Sequence, residues 1–145
     1  MCKKYLWFAA LVILCFVSKV TFASSPSGTP PQNAEDAFLK SVVVFLGKVE
    51  SVTKDNLGFP SIANVKVERI WKGKEFLGTL TKVDGSGGPT YPARLFKVGA
   101  TYLFYLPAKE KNTFRADSYL HRVLMETEAE EDFQYLSRTT TQRSE

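Results

Sequence analysis

From residue 41 onward the chain is patterned in twos. In SVVVFLGKVESV (41–52) the first half is apolar on both sides, and Val49 and Val52 then stand against Lys48 and Glu50. The β-branched and aromatic content predicts a strand, and Gly47 in its middle predicts a bulge or sharp coil. KDNLGFPS (54–61) is turn chemistry. IANVKVERIWKG (62–73) follows as a strand with Val65 and Val67 inward and Lys66 and Glu68 outward. Lys72, Gly73 and Lys74 predict a turn into a third strand, LGTLTKV (77–83), and DGSGGPTYP (84–92) is a long loop. FKVGATYLFYL (96–106) ends in Thr101–Leu106, apolar on both faces and therefore central, with Gly99 placed in a turn at positive φ. TFRAD (113–117) is a further short strand.

At both ends the spacing changes to that of helices. Asn33 caps a short helix in which Ala34, Ala37, Phe38 and Ser41 share a face. TEAEEDFQYL closes the fold, with Thr127 and Glu130 spaced as a capping box and Ala129, Phe133 and Leu136 on one side. Several short strands with a helix at each end predict a small, mostly-β barrel. The folded part is expected from Ala34 to Leu136, a usual single-domain size. Residues 24–33, SSPSGTPPQN, read as a flexible leader, and 137–145, SRTTTQRSE, as a disordered polar tail.

The first 23 residues read as a cleaved export signal. Lys3 and Lys4 precede an uncharged apolar run from Tyr5 to Val17, and Thr21 and Ala23 fit a cut before Ser24. The run is short of the about 20 residues a membrane span needs, so no stable membrane insertion is expected after cleavage. A lipidation site at Cys15 is a second reading, although the residue before it, Leu14, is not small; an uncleaved anchor is a third. On the first reading Cys2 and Cys15, the two cysteines of the chain, leave with the signal. The charge changes too. Of the 19 Lys and Arg, Lys3, Lys4 and Lys19 precede the cut, leaving 16 against 15 Asp and Glu, a net of +1 in place of +4. The basic balance therefore belongs to the signal and gives no reason to expect nucleic acid. The protein is expected to be secreted or periplasmic, and its core must hold without disulfides.

No constellation of catalytic groups stands out, and neither an enzyme, a cofactor nor a metal is expected. Glu126, Glu128, Glu130, Glu131 and Asp132 complement the dipole of the closing helix. His121 is the single histidine, where zinc or general base chemistry needs several ligands or a partner. DGSGG lacks the spacing and lysine of a phosphate loop, and Ser86 does not sit in G-x-S-x-G. The candidate binding surface is Arg69, Trp71, Lys72 and Lys74, a basic stretch interleaved with an aromatic, joined by Tyr91. Set against it is the plainer reading of a core tryptophan beside a solvated turn.

Four segments in order, VVVFLGKVESV, VKVERIWKG, FKVGATYLFYL and ETEAEEDFQYL, give the chain a resemblance to the bacterial relatives of the netrin-like domain. That superfamily includes the tissue inhibitors of metalloproteinases. The resemblance implies a five-stranded OB-type barrel flanked by helices. Related sequences carry a cysteine before the F-x-V-G segment and another before the final helix; here TYPARLF and SYLHRV hold none. A chain starting at Ser24 also lacks the N-terminal cysteine through which the inhibitors chelate a protease's zinc. No inhibitory residue of the family is therefore carried over.

The expected function is that of an exported, non-enzymatic module binding another protein, with a protease among the partners the resemblance implies. Two alternatives stand beside it. One is inhibition of a metalloprotease without the N-terminal cysteine, and the other is binding of a glycan or cell wall around Trp71 and Tyr91.

Overall fold

The computed structural model describes residues 30–87, 92–110, 112–116 and 121–142, the side chains of residues 141 and 142 excepted. The proposed signal, residues 24–29 and Tyr91 lie outside the described residues. Helix α1 (Ala34–Lys40) begins as its sequence predicts, the Asn33 carboxamide oxygen accepting from the Asp36 N–H at 2.8 Å. It ends where Ser41 turns extended and both its N–H and its hydroxyl bond the Ala37 carbonyl, at 3.1 and 2.7 Å.

Among the described residues six strands follow: β1 (Val43–Thr53), β2 (Ile62–Lys72), β3 (Leu80–Asp84), β4 (Thr101–Leu106), β5 (Phe114–Arg115) and β6 (Val123–Met125). They form one sheet in the order β5-β3-β2-β1-β4-β6, antiparallel except for the parallel β3–β5 pair. The sheet is curled and open, a half-barrel of six strands among the described residues, where the sequence predicts a barrel and the netrin-like resemblance implies one of five strands. Its edges are strands of two and three residues, each paired on one side. The pairing of β1 with β2 is interrupted at Trp71, Glu68 and Glu50, which the register passes over. The second interruption falls at Gly47, as its sequence context predicts, and such bulges add the local twist that curls a sheet.

Because β1 and β4 are apolar on both faces, the sheet supports two cores. Val43, Phe45, Val49, Val65, Val83, Phe104 and Leu106 fill the concave side. On the convex side Val44, Leu103 and Tyr105 lie under Ala37 and Phe38 of α1 and under Ala129 and Leu136 at the closing helix. The Phe45 and Phe104 rings, on paired residues of β1 and β4, stack at 4.8 Å. Gly99 has φ +83° in the turn before β4, with the Ala100 N–H bonded to the Lys97 carbonyl, the geometry predicted for it.

Three local expectations need correction. A 3-10 turn (Lys74–Phe76) follows β2, so β3 starts at Leu80 instead of residue 77. Thr127 does not cap the closing helix: it lies inside a second 3-10 turn (Glu126–Glu128), and helix α2 runs from Glu130 to Gln142. That helix also continues six residues past Leu136, into the stretch read as a disordered tail. The Ser137, Thr139 and Thr140 hydroxyls there bond the carbonyls four residues back, at 2.7, 3.1 and 2.8 Å, so the polar side chains stay within the helix.

Candidate functional site

The basic–aromatic stretch of β2 is brought together around Trp71, and it is more structural than its sequence suggests. Trp71 is half-buried, one side of its ring 5.9 Å from Phe133 of α2 and the Arg69 guanidinium 4.7 Å from its centroid. Sugar stacking needs a free aromatic face, and both neighbours compete for those of Trp71. The Lys72 ammonium donates to the Phe38 carbonyl at 2.7 Å and lies 4.9 Å from the Phe38 ring, which ties β2 to the end of α1. Lys74 is exposed on the 3-10 turn, beside an open depression of about 370 Å³ formed by residues 70–75. A smaller cleft of about 90 Å³ is lined by Phe38, Ile70, Trp71, Thr139 and Thr140. Among the described residues the buried Trp71 indole N–H has no hydrogen-bond acceptor. Of the five candidate residues, the structure brings Arg69, Trp71, Lys72 and Lys74 to one end of β2, while Tyr91 lies outside the described residues.

Behind this region is a buried charge pair that the sequence conceals among other acids. Glu126, Glu128, Glu130 and Glu131 are exposed, but Asp132 is 1 % exposed and accepts two hydrogen bonds from Arg122, at 2.9 and 2.8 Å. The two-pronged geometry is the strong form of a charge-assisted bond. Those bonds raise the Arg122 pKa above its ordinary value, against the opposing effect of burial. The Tyr105 hydroxyl is buried beside the pair and, among the described residues, makes no hydrogen bond of good geometry. Burial first, then the negative charge of Asp132, push its pKa upward. The pair pins α2 to the sheet, because Arg122 adjoins β6 and its carbonyl accepts from the Tyr105 N–H at 3.0 Å.

At the far end of the half-barrel two loops meet. The Asp55 carboxylate accepts from the Leu57 and Phe59 N–H groups at 2.8 and 3.0 Å, and from the buried Ser61 hydroxyl at 2.7 Å. The Ser61 bond above all, with those N–H groups, holds the Asp55 carboxyl below the usual range against a smaller opposing effect of burial. The Phe96 N–H bonds the Pro60 carbonyl at 3.3 Å, and the Gly99 N–H bonds that of Val49 at 2.8 Å. This scaffold turns Leu57 (72 %), Phe59 (48 %), Leu95 (54 %) and Val98 (65 %) out to solvent. None of the four is among the residues singled out from the sequence. The signal for two of them was Leu57 and Phe59 inside an otherwise polar turn.

The remaining candidates have plain positions. The Ser86 hydroxyl lies 3.4 Å from that of Ser61, and its N–H donates to Asp84 at 2.8 Å. His121 is half-buried, and its carbonyl accepts from Arg94 at 3.4 Å. Among the described residues no three His, Cys, Asp or Glu side chains are grouped to hold a metal, and no helix is long and apolar enough to cross a membrane. Neither a scan against protein-family models nor a search of curated proteins finds a match for this chain.

Proposed function

We propose that the protein is an exported, non-enzymatic binding module whose ligand is another protein, held at the hairpin-loop end. The observation that carries this reading is the set of four exposed apolar side chains, Leu57, Phe59, Leu95 and Val98, on two loops tied to each other and to β1 by backbone hydrogen bonds. Apolar groups held out on a braced scaffold are already ordered for burial by a partner, which lowers the entropic cost of association. Solvent-facing side chains with no such role are more often polar.

The fold proposed for this module is the OB-type barrel of the netrin-like resemblance. Its support is connectivity: β5 and β6 are consecutive in the chain, β5 lies parallel to β3 and β6 antiparallel to β4. Residues 114–115 and 123–125, close together in the chain, thereby take the two opposite edges of the curled sheet, which is where the closing strand of such a barrel would pair.

The test is crosslinking capture from the extracytoplasmic fraction of the native cells, with the natural chain and a Leu57→Ser/Leu95→Ser variant side by side. A stoichiometric partner that the natural chain captures and the variant loses is expected. Equal capture by both would sink the loop-end reading. Stoichiometric inhibition of a zinc protease by the same surface would identify the partner as a protease. Catalytic turnover by the purified chain, abolished by replacing one polar residue, would overturn the non-enzymatic reading.

A further inference from the structure

The two helices cover the convex face of the sheet at one end only. Along β1 the outward positions run Val44, Leu46, Lys48; the first is sealed by helix residues, whereas Lys48 is exposed. Directly opposite Lys48 on β2 stands Lys66, also exposed, and on the far side of Lys66 stands Leu80 of β3, 54 % exposed. Lys82, the next outward position on β3, faces Asn64, whose amide donates to the Ser51 hydroxyl at 2.9 Å. Neighbouring strands are about 4.8 Å apart, so three ammonium groups and one leucine share a small bare field on three adjacent strands.

This arrangement works against the fold. Like charges directly opposed across an antiparallel pair destabilise it. Among the described residues no ion pair or hydrogen bond is made by the side chains of Lys48, Lys66 or Lys82. Glu50, Glu68 and Asp84, each two residues from one of the lysines, form no ion pair with them among the described residues: the first two sit at positions the β1–β2 register passes over, and the Asp84 carboxylate accepts from the Ser86 N–H. An external anion laid across the lysines would remove the repulsion.

We infer that this face docks an acidic, extended segment of a partner protein, its carboxylates spanning Lys48, Lys66 and Lys82 and an apolar side chain of its own covering Leu80. An ammonium on a flexible stem pairs with an anionic group without demanding a fixed geometry, so the choice of partner turns on Leu80. A nucleic-acid strand would need an aromatic platform, and Trp71 at the border is taken by Arg69 and Phe133. A phosphate or sulfate polymer would meet the same ammonium groups but offers nothing to cover Leu80. The inference is independent of the loop-end reading, because Leu57, Phe59, Leu95 and Val98 lie on other segments.

The test is fluorescence anisotropy on the full chain with two probes, a labelled glutamate-rich peptide carrying one central leucine and labelled dextran sulfate, over a range of salt. The peptide is expected to bind with an affinity that falls as salt rises. Lys48→Glu and Lys66→Glu are each expected to weaken it about tenfold, as attraction becomes repulsion, and Leu80→Ser to weaken it at all salt concentrations. Arg138→Glu, the same charge change on α2, is expected to leave binding unchanged. Lys48→Glu replaces a repulsive cross-strand pair with an attractive one, so it must also melt no lower than the natural chain, which separates lost binding from lost folding. Peptide binding untouched by Lys48→Glu and Lys66→Glu, dextran sulfate binding in place of peptide, or a lowered melting temperature in Lys48→Glu would each overturn the inference.

Discussion

Replacing Arg122 with leucine should be among the most damaging single changes available in this molecule. It strips the cation from a carboxylate that is 1 % exposed and has no route to water. Removing one partner of a buried pair typically costs about 3–5 kcal/mol, because the other charge remains buried alone. Asp132→Ala should cost less. Arg122 is 24 % exposed and can turn to solvent, so the loss is nearer the about 1.5–3 kcal/mol of hydrogen bonding to a charged group. An Arg122→Leu/Asp132→Leu double variant should recover much of the loss, since apolar replacement of a whole buried pair is often neutral. The assay is urea unfolding followed by tryptophan fluorescence, with stabilities compared at equal m. A deficit under about 1 kcal/mol for Arg122→Leu, or a larger one for Asp132→Ala, would refute the claim that the pair holds a charge that cannot escape to water.

Tyr105→Phe should be neutral or slightly stabilising by the same urea assay, because the buried hydroxyl it removes lacks a well-formed hydrogen bond. Gly73→Ala should destabilise more than Gly99→Ala in thermal melts. Both glycines have positive φ, and the Gly99 change should cost about 1 kcal/mol, but a Cβ at Gly73 would also meet the Val42 carbonyl oxygen at 2.5 Å. Trp71→Ala should cost about 2–3 kcal/mol, below the range for a fully buried aromatic; because the change removes the fluorescent probe, its urea unfolding is followed by far-UV circular dichroism, and an unchanged midpoint would mean that Trp71 does not clamp α2. Asp55 has a folded-state pKa below its unfolded one, so its contribution is present above about pH 4 and is lost as pH falls through the folded value. Asp55→Asn should flatten that acid limb in a pH series of melting temperatures.

The strands were legible because their pattern is local. Val65 and Val67 against Lys66 and Glu68 announce which face of β2 is buried, and Asn33 announces α1 three residues ahead of the N–H it caps. The start of α2 was misread because Thr127 and Glu130 have the spacing of a cap, while the helix is anchored by Arg122 reaching Asp132 from another element. No periodicity encodes that contact. β6 was missed for a related reason: three residues whose strand character comes from pairing with β4 carry little signal of their own. In the candidate site, the basic–aromatic composition of β2 was visible, but not that Lys72 would bond the Phe38 carbonyl or that Phe133 would pack on Trp71. The opposition of Lys48 and Lys66 depends on register across a bulged pair, which one sequence does not reveal.

The sharing of β1 and β4 between the two cores bears on how the molecule opens. Val43 and Phe45 belong to one side and Val44 to the other, as Phe104 does against Leu103 and Tyr105. Neither half can come apart while the other stays intact, so the backbone amides of these strands should exchange with solvent only through global unfolding. The hairpin tip and the loop before β4 lie beyond that seam and are braced by their own hydrogen bonds, those to the Asp55 carboxylate and those from the Phe96 and Gly99 N–H groups. A partner pressing on Leu57 or Leu95 would thus meet a surface already set, backed by strands that yield only when the whole sheet does.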